Sequence, residues 1–332
     1  MSIRAYCTYF DHRYVPKGLA MIRSLRRHVP DAQIWVLCLS PQTQVLLQEM
    51  DEPGIRTIAL TDFEVGDVDL AKAKADGRST IEYYFTLTPS LVLYVMQAEP
   101  EAEIVTYLDG DLWFLADPEP IYHEMDDDSV LIIPHGFEPA MKHLQQYGIY
   151  NVGWVSFRKD AHGKACLIWW RQHTNEWCFD RVEDGRFADQ AYLDQFPRLF
   201  EGVHILANCG ANLAPWNVAA RTISVTDGIA RSNGDQVLFF HFHGLKRLGG
   251  DEYLISHGFY KAPVTPLIRD FFYRPYLREI HAIEHEVTIR FGRVEYGTVR
   301  QPNDGRWAWI SGFKKAIRLA LNRYRGYVIA AD

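Results

Sequence analysis

Two aspartates one residue apart, Asp109 and Asp111, carry the clearest chemistry in the chain. They stand in the stretch Ile104-Val-Thr-Tyr-Leu-Asp-Gly-Asp-Leu-Trp-Phe114, with an apolar, β-branched run before them and an apolar triplet after. Two carboxylates across a glycine can converge on one hard divalent cation, Mg²⁺ or Mn²⁺, because such ions take oxygen ligands. Gly110 permits a tight backbone and keeps bulk away from a phosphate. Asp-Gly is also a common turn dipeptide, so the pair taken alone reads equally as a turn. Placement favours the metal. The lead-in has the pattern of a buried strand, and parallel sheets bind ligands just beyond the carboxyl ends of their strands.

Other residues with chemical potential sit at comparable places. Thr8 and Tyr9 end the first apolar run, where a nucleotide base can rest. His135 follows Ser129–Pro134; as substrate contact or as structural hydrogen-bonder it ends a strand again. Asn151 and Gly153 open the strand Tyr150 to Arg158, where a small residue lets backbone approach a ligand. Asp189 and Gln190 are expected in the first turn of a helix, as capping residues or as site residues. The stretch from Asn208 to Asn217, with Asn212 and Trp216, suits a hydroxyl-rich ligand and also suits turns. His241 and His243 are two apart on an extended segment and point the same way, as a chelating pair or as one metal ligand and one substrate contact. Lys246 and Arg247 follow within reach of an anion.

These residues need a scaffold, and the first 60 positions describe it. Strand patterns at Ile3–Phe10, Ile34–Leu39 and Ile55–Leu60 alternate with helical ones at Tyr14–His28 and Gln42–Met50. A β-α-β-α-β opening implies a parallel, doubly wound sheet. No G-x-G-x-x-G is present, which disfavours a standard dinucleotide fold. Residues 62–79 are polar and glycine-punctuated and read as a mobile loop, from which Arg78 can offer bidentate donors to a diphosphate or remain part of a solvated charged surface. A helix from Thr80 to Met96 then leads to the aspartate strand.

Composition narrows the class. Of 332 residues, 48% are hydrophobic and 23% charged, which is a packed globular chain. A net charge of −7 argues against nucleic acid as a partner. The five cysteines form no C-x-x-C pair and read as reduced thiols of a cytoplasmic protein without a zinc site. No signal peptide or bilayer-spanning run is apparent.

Texture changes near Thr265. Leu267 to Ile289 is a helix candidate. Residues 307–328 are basic and amphipathic, with Phe313, Ile317, Leu321, Tyr324 and Val328 on one face. Such a helix either docks peripherally on an anionic surface, the cytoplasmic face of the inner membrane, or packs on the chain's own body with its cations solvated. The division expected is a catalytic unit over 1–264 and a helical extension over 265–332.

Taken together the motifs resemble the GT-A-fold glycosyltransferases, most closely the retaining family 8 type that includes glycogenin and bacterial lipopolysaccharide galactosyltransferases. The shared marks are the open α/β sheet, Asp-x-Asp after a buried strand, Asn151-x-Gly153, Asp189-Gln190, and a late His241-x-x-Gly244 followed by Lys246, in that order over residues 3 to 250. The family's Lys-Pro-Trp is absent, since the chain reads Leu245-Lys246-Arg247-Leu248. The resemblance implies a GT-A-like open, mostly parallel twisted sheet flanked by helices. It implies Mn²⁺ or Mg²⁺ on Asp109, Asp111 and His241, with Asp109 also touching the donor. Lys246 or Arg247 would hold the diphosphate, and Asp189 and Gln190 would lie beside the anomeric carbon. The activity implied is transfer of a sugar from a nucleotide sugar, a UDP-sugar, to a saccharide or glycolipid acceptor in polysaccharide biosynthesis.

Three other readings compete. A haloacid-dehalogenase phosphatase also uses Asp-x-Asp after a strand, but Trp113 stands where a Thr or Val is usual. A sugar-nucleotide pyrophosphorylase would need a glycine-rich basic loop near the N-terminus, which is missing. A non-catalytic sugar- or nucleotide-binding protein on a transferase fold is the remaining alternative.

Overall fold

A computed structural model of the chain describes residues 3–292, 294 and 318–331. The opening follows the expected alternation: β1 (Arg4–Phe10), α1 (Val15–His28), β2 (Gln33–Cys38), α2 (Pro41–Met50) and β3 (Ile55–Ala59). In β1 the side chains alternate between faces, with Tyr6 and Phe10 in one core and Ala5 and Cys7 in the other. α1 buries Leu19, Ile22 and Leu25 and carries Arg26, Arg27 and His28 in its last turn, where they complement the helix dipole.

Residues 62–79 are mostly helical rather than a loop. They hold the end of α3 (Leu60–Phe63) and all of α4 (Val68–Ala75). Asp67 caps α4 by accepting from the amides of Asp69 and Leu70, and Leu70 and Ala73 are buried on its inner side. Two apolar residues three apart are too short a period to stand out among eight charged residues. Next comes α5 (Thr80–Ala98), which starts in a capping box formed by Ser79 and Glu82.

β4 (Ile104–Leu108) is wholly buried and β5 (Leu112–Phe114) follows after the aspartates. α6 (Glu119–Met125), β6 (Val130–Pro134), β7 (Tyr150–Arg158), α7 (Ala161–Glu176), α8 (Phe196–Leu199) and β8 (Val203–Ile205) complete the main layer. The seven strands run β3-β2-β1-β4-β7-β6-β8, and β7 alone is antiparallel to its neighbours. The open, mostly parallel α/β sheet flanked by helices is therefore present. One core lies on the α1 side and the other on the α5 and α7 side, where Trp170 is fully buried.

Smaller sheets sit beyond the carboxyl ends. β9 (Ile223–Thr226), β10 (Ile229–Ser232) and β11 (Asp235–Gln236) form one. β12 (Phe239–His241) pairs antiparallel with β5. β13 (Lys246–Gly249) and β14 (Glu252–Leu254) are joined by β15 (Val328–Ala330). A π-helix, Ile268–Tyr273, runs into α9 (Arg274–Phe291), and its Phe272 and Tyr273 pack on Phe240 of β12 in the same core as β1.

The basic helix expected over 307–328 lies outside the described residues up to 317. Residues 318–324 are helical, and Val328 belongs to β15 instead of the helical face. Among the described residues no helix is long and apolar enough to cross a membrane. Four of the five free cysteines are buried.

Candidate metal and substrate site

The strand pairing explains how residues 130 positions apart meet. β4 ends at Leu108, and the amide of Asp109 donates to the carbonyl of Gly153 on β7. The chain then leaves the main sheet as β5 and pairs with β12, placing His241 opposite Leu112. The amide of Phe242 donates to the carbonyl of Asp111 at 2.9 Å. Backbone pairing thus delivers the imidazole to the two carboxylates.

Nε2 of His241 lies 3.1 Å from Oδ1 of Asp111 and 3.6 Å from Oδ2 of Asp109. One ligand atom from each of the three falls within 4.8 Å of the others. Two carboxylates and an imidazole, deeply set and converging, fit an octahedral divalent ion that keeps open positions for phosphate oxygens. Burial alone would push both acids up. It does so for Asp109, where His241 opposes it and the charge of Asp111 adds to it. For Asp111 the attraction and hydrogen bond of His241 and the charge of Lys17 outweigh burial and hold the carboxyl well below the usual range. Burial lowers His241, but its two acidic neighbours outweigh that and raise it.

The imidazole is aimed by a buried polar chain. Nδ1 of His241 donates to Oδ1 of Asn212 at 3.2 Å, which turns Nε2 to the acids. Asn212 donates to Asn151 at 3.3 Å, and Asn151 donates to Oε1 of Gln190 at 3.2 Å. Gln190 in turn donates to the carbonyl of Tyr147. The amide of Gly153 binds Oδ1 of Asn151. Asn151 also meets Nε2 of His135, whose Nδ1 donates to the carbonyl of Ile149. Burial keeps His135 neutral, at about 3, and Phe137 stacks on it.

Two cavities meet at the candidate ligands: Asp109 and His241 line both, and Asp111 lines the second. One, of about 460 Å³, is lined by His135, Asn151, Asp189, Gln190, Trp216 and His243 among others. The other, of about 390 Å³, lies against Asp11, Tyr14, Ile81, Tyr84, Phe85 and Asp111. Tyr9, Phe85, Asp109, His241 and His243 line both. Gly110 lines the second with an ordinary φ, and a methyl there would only touch the Tyr14 ring at 3.4 Å, so its smallness serves the cavity more than the turn.

Several expected residues fall elsewhere. Asp189 and Gln190 precede a short 3-10 turn, Ala191–Gln195, instead of occupying the first turn of a helix. Ala188 just before them has φ +45°, a strained backbone that no sequence pattern announces. Asp189 is a buried acid rather than a cap, and burial raises it to about 7. Thr8 is fully buried and lines neither cavity. Arg78 is not at the site: its guanidinium is spent on Thr86, Asp76 and the carbonyls of Thr174 and Asn175. Arg247 pairs with Glu284 and binds the carbonyl of Gly250. Lys246 faces a third, adjoining cavity. Trp216 sits edge-on to His135 and His241, packed among rings as well as lining the cavity.

Tyr14, Lys17 and Tyr107 were invisible to sequence reasoning. The hydroxyl of Tyr14 binds Asp111, and that of Tyr107 donates to Asp109 at 3.0 Å. Lys17 caps the Tyr14 ring and donates to the carbonyl of Leu245. A tyrosine at each helix or strand position looks like core filling until the partner is known.

No family profile matches the chain. Among solved structures, galactosyltransferase LgtC in complex with donor and acceptor sugar analogs is 19% identical with a TM-score of 0.49, covering 72% of this chain and 87% of that one. Mouse xyloside xylosyltransferase 1 in its apo form is 13% identical with a TM-score of 0.43, covering 64% and 88%. The uncharacterized protein YfnD of Bacillus subtilis (strain 168) is 28% identical over 294 residues, which is 88% of this chain and 93% of YfnD. The uncharacterized protein YfnF of the same organism is 34% identical over 250 residues, 73% of this chain and 82% of YfnF. On that match the chain belongs to the family of YfnF.

Proposed function

We propose that the protein is a metal-dependent glycosyltransferase that moves a sugar from a nucleotide sugar, a UDP-sugar, to a saccharide or glycolipid acceptor with retention. The observation that carries this is the cluster of Asp109, Asp111 and His241 where two cavities meet, with Asp109 and His241 lining both and Asp111 lining one. A nucleotide sugar is a molecule with a diphosphate in its middle and different chemistry at its two ends. The 390 Å³ cavity offers Tyr9, Tyr84 and Phe85 to the flat, apolar face of a base. The 460 Å³ cavity offers Asp189, Gln190, Asn151 and neutral His135 to sugar hydroxyls.

Asp109, Asp111 and His241 would hold a divalent cation, which would supply positive charge to the departing diphosphate. The bond from the anomeric carbon to the diphosphate oxygen breaks with its electron pair left on oxygen. An acceptor hydroxyl oxygen forms the new bond, and its proton passes to an oxygen of the released diphosphate. The leaving group needs no protonation, so the chain requires no strong general acid beside it. Asp111, kept ionised, and Asp109 neutralise the cation, while Asn212 holds His241 in the binding tautomer. Gln190 is fixed from both ends of its amide, which suits a group that must meet a cationic sugar without moving. Uridine and retention rest on the order of motifs along the chain rather than on any side-chain contact.

The test is release of nucleoside diphosphate from a panel of nucleotide sugars, with and without Mn²⁺. Metal-dependent release by the wild type, lost in Asp111→Asn, supports the reaction. Binding of nucleotide sugar with no turnover under any acceptor would leave a non-catalytic binding protein.

A further inference from the structure

A third cavity, of about 640 Å³, adjoins the other two and is not used by the donor. It shares His243, Phe259 and Tyr260 with the 460 Å³ cavity, and His243 and Gly244 with the 390 Å³ cavity. Its walls come from β13, β14, the turn from Ser256 to Tyr260 and the helical residues from Arg318 onward.

Its charge is one-sided. Lys246, Arg318 and Arg325 line it, and among the described residues no carboxylate does. The neighbouring arginines are neutralised, Arg247 by Glu284 and Arg323 by Glu252. The three lining cations have no carboxylate partner among the described residues. On a chain of net charge −7, three unneutralised cations lining one cavity, Lys246 from a strand and Arg318 and Arg325 from the C-terminal segment, favour an anion. The rest of the wall is largely apolar, through Leu248, Leu254, Ile255, Leu319, Leu321 and Tyr327. Leu321, with nearly half its surface exposed, would be a poor surface residue without a ligand to cover it.

An acceptor presupposes the transfer reaction proposed above. We propose that this cavity is the acceptor subsite, and that the acceptor carries a phosphate on an apolar stem. Lys246, Arg318 and Arg325 take the phosphate, the leucines take the stem, and the reacting hydroxyl is presented past His243 and Tyr260 to the donor sugar. Cations and apolar wall together match a lipid-borne phosphate better than a neutral saccharide.

The experiment titrates the full chain with three probes, octyl phosphate below its micelle concentration, octyl glucoside and inorganic phosphate, each with and without saturating Mn²⁺ and UDP. Octyl phosphate is expected to bind roughly tenfold tighter than either other probe. Arg318→Ala/Arg325→Ala should remove that advantage while affinity for Mn²⁺-UDP stays at the wild-type value, which also shows the variant is folded. Equal binding of octyl phosphate and octyl glucoside, or an unaffected double variant, overturns the proposal. Inorganic phosphate binding as tightly as octyl phosphate overturns the apolar stem. Binding of the wild type to phosphatidylglycerol vesicles, lost in the double variant, with no affinity for monomeric octyl phosphate would make the patch a membrane contact instead. Octyl phosphate bound in a protein that fails to bind Mn²⁺-UDP separates failure of the transferase reading from failure of the subsite.

Discussion

The hydroxyl of Tyr14 donates to Oδ2 of Asp111 at 2.7 Å, so the start of the first helix orients a carboxylate 97 residues further on. Oδ1 of the same carboxylate faces His241, and with Tyr14 on the other oxygen the group is held in one rotation. Tyr14→Phe removes the hydroxyl and little else. Outer partners of metal ligands are worth about 10- to 100-fold in affinity. Calorimetric titration of Mn²⁺ in the presence of UDP should therefore show a loss of at least about tenfold, with thermal stability nearly kept.

Gly153 is the tightest point of the network. A Cβ there would stand 2.6 Å from Oδ1 of Asn151 and 2.7 Å from Cε1 of His241. Neither atom is a free side-chain end, because both residues are tied into the chain from Asp111 to Gln190. Gly153→Ala should cost about 1–3 kcal/mol in denaturant unfolding through overpacking. It should also weaken Mn²⁺ binding, since the methyl displaces His241. Unchanged metal affinity in a folded Gly153→Ala protein would mean that His241 is not a ligand.

Asp189 ties stability to pH. Its folded value, about 7, lies above the ordinary 3.8, because burial disfavours the carboxylate. Between those values the folded state holds a proton that the unfolded state has lost, so stability falls as pH rises through that window and levels off above it. The span corresponds to roughly 4 kcal/mol. Asp189→Asn cannot lose the proton. Melting curves in metal-free buffer should show the variant gaining on the wild type from pH 4 to 7, with a constant gap above about pH 8. Parallel curves would show that Asp189 is not desolvated.

Arg78 gives the opposite separation. Its side chain is fully buried and binds two backbone carbonyls near the end of α7, at Thr174 and Asn175. Arg78→Met leaves those carbonyls unpaired and should lower stability by roughly 3 kcal/mol. Nucleotide affinity measured below the melting temperature should stay within about twofold, because an arginine that touches no donor contributes none of the binding energy.

These residues show how far the sequence could be read. The β-α-β opening, the buried strand before Asp109 and the extended pair His241 and His243 all follow from local periodicity, and the fold places them as expected. Arg78 and Arg247 have other partners in the fold, because a cation that binds the carbonyls of Thr174 and Asn175 or pairs with Glu284 has the same local pattern as one that holds phosphate. Tyr14 and Lys17 were missed because their meaning depends on a carboxylate that only tertiary pairing brings to them. The network through Asn212, Asn151 and Gln190 lies between these cases: each amide was singled out, but the bonds joining them come from β12 crossing to β5 and from the left-handed backbone at Asn212.

The central claim is that Asp109, Asp111 and His241 hold one divalent ion against a nucleoside diphosphate. Its most direct test is titration of Mn²⁺ followed by electron paramagnetic resonance, on wild type and Asp111→Asn, each with UDP. One tightly bound ion per wild-type chain, absent from the variant while its melting profile remains cooperative, is the expected result. Equal Mn²⁺ binding by the two proteins would contradict it.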